Sequence, residues 1–393
     1  RHMNFLTEAF AQKDALISFR RMLHQNPEIG LKLPFTTDAV CAALTERGVS
    51  HRRVFGGVIA TLGKTGGKRI LLRGDMDGLP ILEKTELPFA SQNGAMHACG
   101  HDLHASMLLG AATLLKSHEQ ELTGEAVLMF QAGEETGDGA AAMIASGVLD
   151  PAPDFAAAIH IAGNDMYPTG AISVNSGAVY ASRDEIAITV RGKGGHGAEP
   201  HKAKNPIYCA TKIIDALTDL MRYEIDAETP SVLTICQIEG GTAANVIPET
   251  CRFCGTLRMT NEDRRAYVLA RIREAAAGVA AAYGCEALTQ IIGSIPMLVN
   301  DAAFAQTVQT WLEGNLEGAL IAPLSSHFSM GSDVFALIST RVPSIYMYIL
   351  SLSPEGRHYP EHHERVEFDD ESVPVGAAVY TQIAYQYLTQ DNI

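Results

Sequence analysis

Nine residues, Met96-His97-Ala98-Cys99-Gly100-His101-Asp102-Leu103-His104, hold three imidazoles, a thiol and a carboxylate around one glycine. Imidazole and thiolate readily bind zinc and its neighbours, so the stretch reads as a metal-ligating loop. Cys99 and His101 are two positions apart and can converge on one ion only from a turn, which Gly100 permits. Residues 103–115 carry a helical pattern with Asp102 as an acceptable N-cap, which puts the loop at a helix entrance.

A second set of chemical groups follows. Glu134 and Glu135 come just after residues 125–130, an apolar run of strand length behind a Thr123-Gly124 turn. Residues 155–160 form another apolar run that ends on His160. In open α/β sheets, ligands gather beyond the carboxyl ends of the strands, so the loop, the Glu pair and His160 are expected on one rim.

These groups need a scaffold larger than one ordinary domain. The chain has 393 residues, 47% of them hydrophobic, which suits two domains with buried cores. A formal charge of -15 argues against nucleic acid or an anionic membrane surface as partner. Seven cysteines without framework spacing favour reduced thiols. No signal peptide and no run of 18 apolar residues is visible, so a cytoplasmic protein is expected. Arg1-His2 ahead of Met3 reads as a cloning remnant.

Residues 4–30 mix apolar and charged positions with helical periodicity, and 54–62 and 69–73 read as strands joined by a Gly-rich turn. From residue 182 the composition changes. Strand 182–190, helix 206–221, strand 232–238, strand 250–259, helix 262–283 and a strand near 287–292 make a ferredoxin-like α+β order. Inserted over 182–293, it splits a larger domain into residues 3–181 and 294–393. Cys251 and Cys254 have a C-x-x-C spacing but no second pair, and their strand-like surroundings make them packing thiols. Residues 341–350 read as a buried strand, followed by Arg357-His358-Tyr359-Pro360-Glu361-His362-His363-Glu364.

Several of these stretches together resemble the metal-dependent aminoacylase and carboxypeptidase family. They are Cys99-Gly100-His101-Asp102, Glu134-Glu135, His160, the Arg73 to Pro80 run, Gly194 to Ala198 and His24-Gln25-Asn26-Pro27-Glu28. The branch it looks most like contains hippurate hydrolase, auxin-conjugate hydrolases and N-acetyl-amino-acid deacetylases. The resemblance implies an α/β, metallopeptidase-like catalytic domain, its central mixed sheet flanked by helices, with an inserted lid and dimerisation domain. It implies two divalent ions per subunit, manganese or zinc, with cobalt or nickel as alternatives. Cys99, His101, Glu135, His160 and His362 are the implied ligands, Cys99 as the bridge, with His363 or His358 as fallback for His362. Glu134 is the implied general base, and Asp77 the acid that orients a ligating His; an Asp-Gly turn is the other reading of Asp77. His196, Asn245 and Arg258 of the lid are implied substrate contacts, His196 often in the partner subunit's site of a homodimer.

Two departures lie near the expected site. This chain has His362-His363-Glu364 where the branch usually has His-Asn-Pro or His-Ser-Pro, and Met330-Gly331-Ser332-Asp333-Val334-Phe335 where relatives show Gly-Ser-Glu-Asp-Phe. The expected activity is hydrolysis of N-acyl amino acids, acetyl or aromatic acyl. The alternatives are a carboxypeptidase or dipeptidase, an N-acetyl-diaminopimelate deacetylase, or a non-catalytic metal-binding relative.

Overall fold

The structure, a computed structural model, describes residues 4–390; the Arg1-His2 remnant lies outside the described residues. The chain divides into two compact units. One runs through Val179 and takes in Val299–His327 and the chain from Leu337 on, and the other is Tyr180–Leu298 with Phe328–Ala336. The Met330 to Phe335 run therefore packs with the second unit, outside the 182–293 span.

Long apolar runs form the first unit's sheet. Strands β1 (Ser50–Val54), β2 (Gly57–Gly63), β3 (Arg69–Asp75), β4 (Glu125–Gln131), β5 (Phe155–Asn164) and β6 (Ala171–Val174) join the strand Ser344–Leu352. Their order is β1-β2-β4-β3-β5-(344–352)-β6. The four central strands run parallel and the outer ones antiparallel, which makes the sheet mixed. Central strands such as β3 and β4 are buried along almost their whole length, as expected of parallel strands covered on both faces. Residues 54–62 are not one strand. Phe55 and Gly56, at φ 45° and 79°, make the tight hairpin turn between β1 and β2.

The helix His101–Ser117 has little amphipathic character because nearly every residue of it is buried. It packs on the sheet beside the final helix, Ser372–Thr389, which also touches the central strands. A Cβ on Gly74 would come within 2.8 Å of the His104 carbonyl oxygen, so the glycine lets this helix settle against β3. The helix starts one residue ahead of the expected cap. Gly100 is the N-cap, while Asp102 sits in the first turn with its carboxylate directed inward. The Tyr380 hydroxyl from the final helix accepts from Ile159 N–H at 2.8 Å and donates to the Arg73 carbonyl. It stands where β3–β5 pairing ends, at Arg73 and Ala158, so the two strands part just below the rim.

Residues 4–30 form two helices, Phe5–Ala11 and Lys13–His24, and the helices Pro34–Glu46 and Ala302–Asn315 lie where none was expected. No described helix is long and apolar enough to cross a membrane.

The second unit carries Ser182–Arg191, Ser231–Gly240, Thr250–Met259 and Glu286–Ile295 as strands, with Pro206–Tyr223 and Glu262–Ala282 as helices. In the sheet, 231–240 neighbours 250–259, then 182–191, then 286–295, and every pair is antiparallel. That is the ferredoxin-like arrangement. Cys251 is buried in this unit's core opposite Val190, and Cys254 is half-buried. Among the described residues, neither joins a group of three potential ligands.

Candidate metal centre

The parallel strands end on one rim and release their chemical groups there. Asp75 ends β3 and Asp77 follows it, Glu134 and Glu135 follow β4, and His160 lies on β5. Cys99 and His101 flank the glycine that starts the buried helix. Gly100 has φ 79°, and a Cβ there would lie 2.3 Å from Ile161 Cγ2. Gly100→Ala is therefore expected to cost about 2–4 kcal/mol, from left-handed strain plus overpacking. It should also displace both flanking side chains. Thermal melting and the metal content of the purified protein check this, and unchanged values of both would refute it.

Two groups of potential ligands meet at one sulfur. Cys99, His101 and His160 place one ligand atom each within 4.8 Å of one another, and so do Cys99, Glu135 and His362. Glu134 forms a further such group with His101 and Glu135. Individual contacts are close. Cys99 Sγ is 3.5 Å from His160 Nε2, and His362 Nε2 is 3.3 Å from Glu135 Oε1. The His160 Nδ1–H donates to the Ile161 carbonyl at 2.6 Å, which leaves Nε2 as the lone-pair nitrogen facing Cys99.

The residues fit divalent cations. Both ring nitrogens of His101 are buried without a hydrogen bond, and so is Glu135 Oε1. Asp77 Oδ1 is 3.4 Å from His101 Nδ1, and Glu135 Oε1 is 3.9 Å from His101 Nε2, yet neither contact has hydrogen-bond geometry. Unpartnered buried polar atoms cost several kcal/mol in aggregate, roughly 1–3 each, and a cation among them removes that cost. Burial opposes charging His101, but Asp75 and Asp77 outweigh it and hold the imidazole pKa well above its ordinary value. Burial pushes the Cys99 thiol well up, against the pull of His101. The pocket is thus short of positive charge, and a bound cation would favour the thiolate.

A layer of fixed groups surrounds these atoms. Asp77 accepts from the backbone N–H of Glu134 at 3.0 Å and of Glu135 at 3.1 Å, so one carboxylate ties the Glu loop to the His101 helix. Asp75 is paired with Arg73 at 2.8 Å and accepts from His104 Nδ1–H at 2.6 Å. The Ile161 N–H donates to His104 Nε2 at 2.8 Å, so both His104 nitrogens are committed. Burial takes its pKa down to about 4, and His104 is a neutral structural imidazole. His97 is also buried, its pKa pushed down to about 3 by burial, with neither nitrogen hydrogen-bonded.

Asp102 anchors the start of the helix. It is 2.7 Å from Arg20 Nε and 2.8 Å from His24 Nδ1, while His24 Nε2 is 3.1 Å from Glu83. Sequence reasoning missed this cluster, because nothing local links residues 20, 24, 83 and 102.

His196, Asn245 and Arg258 belong to the second unit. His196 pairs with Val246 across a two-stranded ladder, so His196 and Asn245 share one corner. Arg258 lies directly opposite Arg183 in the sheet, and its Nη1 donates to Ser332 Oγ at 3.2 Å. Burial and the Arg183 charge lower its pKa. Among the described residues no carboxylate comes within ion-pair distance of Arg258. Arg183 was not foreseen; only strand register shows that it faces Arg258.

A mixed sheet with this donor cluster on its carboxyl rim can hold divalent cations, and together with the family and relatives that follow, it marks a metal-dependent amidohydrolase. The chain belongs to peptidase family M20/M25/M40, whose pattern matches residues 71–386. It is 31% identical to thermostable carboxypeptidase 2 of Saccharolobus solfataricus, over 95% of this chain and 96% of that one. It is 32% identical to N-acetylcysteine deacetylase of Bacillus subtilis, over 94% and 96%. A solved structure of a dinuclear metal-binding peptidase of the M20 family from Bacillus subtilis matches with a TM-score of 0.81 and 30% identity, over 96% of this chain and 99% of that one.

Proposed function

We propose that the chain hydrolyses the amide bond of N-acyl amino acids, acetyl or aromatic acyl, to a carboxylate and a free amino acid. The observation that carries this reading is the meeting of two ligand groups at Cys99 with Glu134 beside them. Cys99, His101 and His160 would hold one divalent ion, and Cys99, Glu135 and His362 the other, with manganese or zinc as the metals the donors suit. Such ions, when bound, supply a polarised carbonyl and a water of lowered pKa. The chain's own residues do the rest. Glu134 takes the proton of the attacking water and delivers it to the leaving nitrogen. Asp77 holds the Glu134 and Glu135 backbone and faces His101 Nδ1, so that His101 presents Nε2.

Arg258, with Arg183 opposite and Ser332 at its side, is suited to grip a carboxylate of the substrate through paired guanidinium donors. His196 helps hold the substrate carbonyl or carboxylate, and Asn245 joins Arg258 on the carboxylate. We also propose a homodimer built through the second unit. Its strand Ser231–Gly240 is a sheet edge, with Val232 and Ile238 exposed by 43% and 51%. A carboxypeptidase or dipeptidase activity is the second reading, favoured by identity to a carboxypeptidase equal to within a percentage point of that to the deacetylase.

Amine release from N-acetyl amino acids, N-benzoyl amino acids and dipeptides separates the two, using chelator-treated protein with and without added manganese. Metal-restored release confined to acylated amino acids is expected. Release from dipeptides alone would shift the assignment to a peptidase.

A further inference from the structure

The segment His362-His363-Glu364, unusual for the branch it resembles, is fastened on both sides. His362 is one of two non-glycine residues with positive φ among the described residues, at 66°. Side chains rarely adopt this conformation, and it persists where the surroundings impose it. On one side, the His363 ring stacks on Tyr359 with centroids 4.4 Å apart and planes 14° from parallel. Tyr359 in turn packs on the first unit's core. His363 Nδ1 accepts from Arg365 N–H at 3.0 Å, which turns that nitrogen away from any ion. On the other side, Lys84 N–H donates to the Glu364 carbonyl at 2.8 Å, and Lys84 Nζ reaches the two Glu364 oxygens at 3.0 and 2.9 Å. Between these fasteners, His362 N–H donates to the Ala98 carbonyl at 2.9 Å, beside Cys99.

We propose that His363 and Glu364 are positioning residues: the stack on Tyr359 and the clasp on Lys84 hold His362 in its left-handed turn, with Nε2 aimed at Glu135 and Cys99. The proposal rests on the reading of His362 as a metal ligand. It gives the departure from the branch pattern a role, since Asn or Ser at 363 has no aromatic ring to lay on Tyr359 and Pro at 364 has no carboxylate for Lys84 Nζ.

The test is manganese binding to the chelator-treated full chain by calorimetry, which reads metal affinity without reference to turnover. Wild-type protein is expected to bind two ions, and His362→Ala to lose one. Tyr359→Ala and Lys84→Met should weaken that same ion by roughly 3- to 10-fold, the range of a lost aromatic stack or clasp, and leave the other within about twofold. Lys84→Met is the sharper variant. Removing a surface cation would by electrostatics alone tighten cation binding, so a weakening reports lost positioning. Its side chain is 49% exposed, so folding is not at stake. His363→Phe keeps the stack without an imidazole and should bind like wild type. If Tyr359→Ala and Lys84→Met bind both ions as tightly as wild type while His362→Ala loses one, the positioning role is wrong and the ligand stands. If His362→Ala still binds both ions with full affinity, the ligand reading falls and takes this proposal with it. Loss of an ion in His363→Phe would make His363 the ligand and overturn the proposal.

Discussion

Replacing Glu134 with Gln is expected to lower kcat by roughly 100- to 10,000-fold while the protein keeps its metal, the usual contribution of general acid–base catalysis. The geometry explains why the two effects separate. Glu134 N–H is bonded to Asp77, so the backbone position survives the change, and the Cys99-centred ligand groups do not include Glu134. Glutamine preserves shape and hydrogen bonding but accepts no proton. Steady-state kinetics with metal analysis of the same preparation checks this. A loss of less than about tenfold with metal retained would remove Glu134 from proton transfer.

Asp102→Asn is expected to destabilise the first unit by about 3 kcal/mol, the low end for a broken buried ion pair, because it removes the carboxylate that Arg20 and His24 share and leaves Arg20 only Asp370 and His24 only Glu83. For a unit of this size that corresponds to a fall in melting temperature on the order of 10 °C. The pH dependence adds a second signature. Burial alone would raise the Asp102 pKa, but Arg20 and His24 hold it far below the carboxylate range. A depressed folded-state pKa contributes stability that is present above the unfolded value of about 3.9 and lost as pH falls through the folded one. His24 has the opposite sign. Burial and Arg20 oppose its charge, but Asp102 and Glu83 raise its pKa, so its contribution is present below about 6.5 and lost as pH rises through its folded value. Urea midpoints across pH should therefore show both slopes in the wild type and shallower ones in the variant. A variant as stable as wild type at neutral pH would show that Asp102 is not the counter-ion that anchors this helix.

Residue types and periodicity carried much of this architecture into the open. The apolar runs ending at Gln131 and near His160 are strands, and the residues beyond them do cluster. The order of elements between 182 and 293 is enough for a ferredoxin-like pattern, because the amphipathic helix Pro206–Tyr223 and the alternating strands there advertise their periods. Other elements gave weaker signals. The helix Pro34–Glu46 has only a slight apolar face, with two adjacent threonines near its start, so its period was invisible. The hairpin at Phe55 was hidden by a phenylalanine in a conformation that usually calls for Gly, Asn or Asp.

The site divides in the same way. Cys99, His101, Glu135, His160 and His362 sit in short stretches whose composition stands out, whereas the groups that hold them are distant in sequence. Asp102 meets His24 across 78 positions, and Arg183 meets Arg258 only through strand register. The left-handed turn at His362 had no firm sequence cue either, since only a small share of histidines adopt it even though the residue is enriched there.

Anomalous diffraction from manganese-soaked crystals tests the central claim most directly. Two peaks are predicted, one within bonding distance of Cys99, His101 and His160 and the other of Cys99, Glu135 and His362, with the Cys99 sulfur shared between them. A single peak, or two peaks that leave Cys99 outside both coordination spheres, would contradict it.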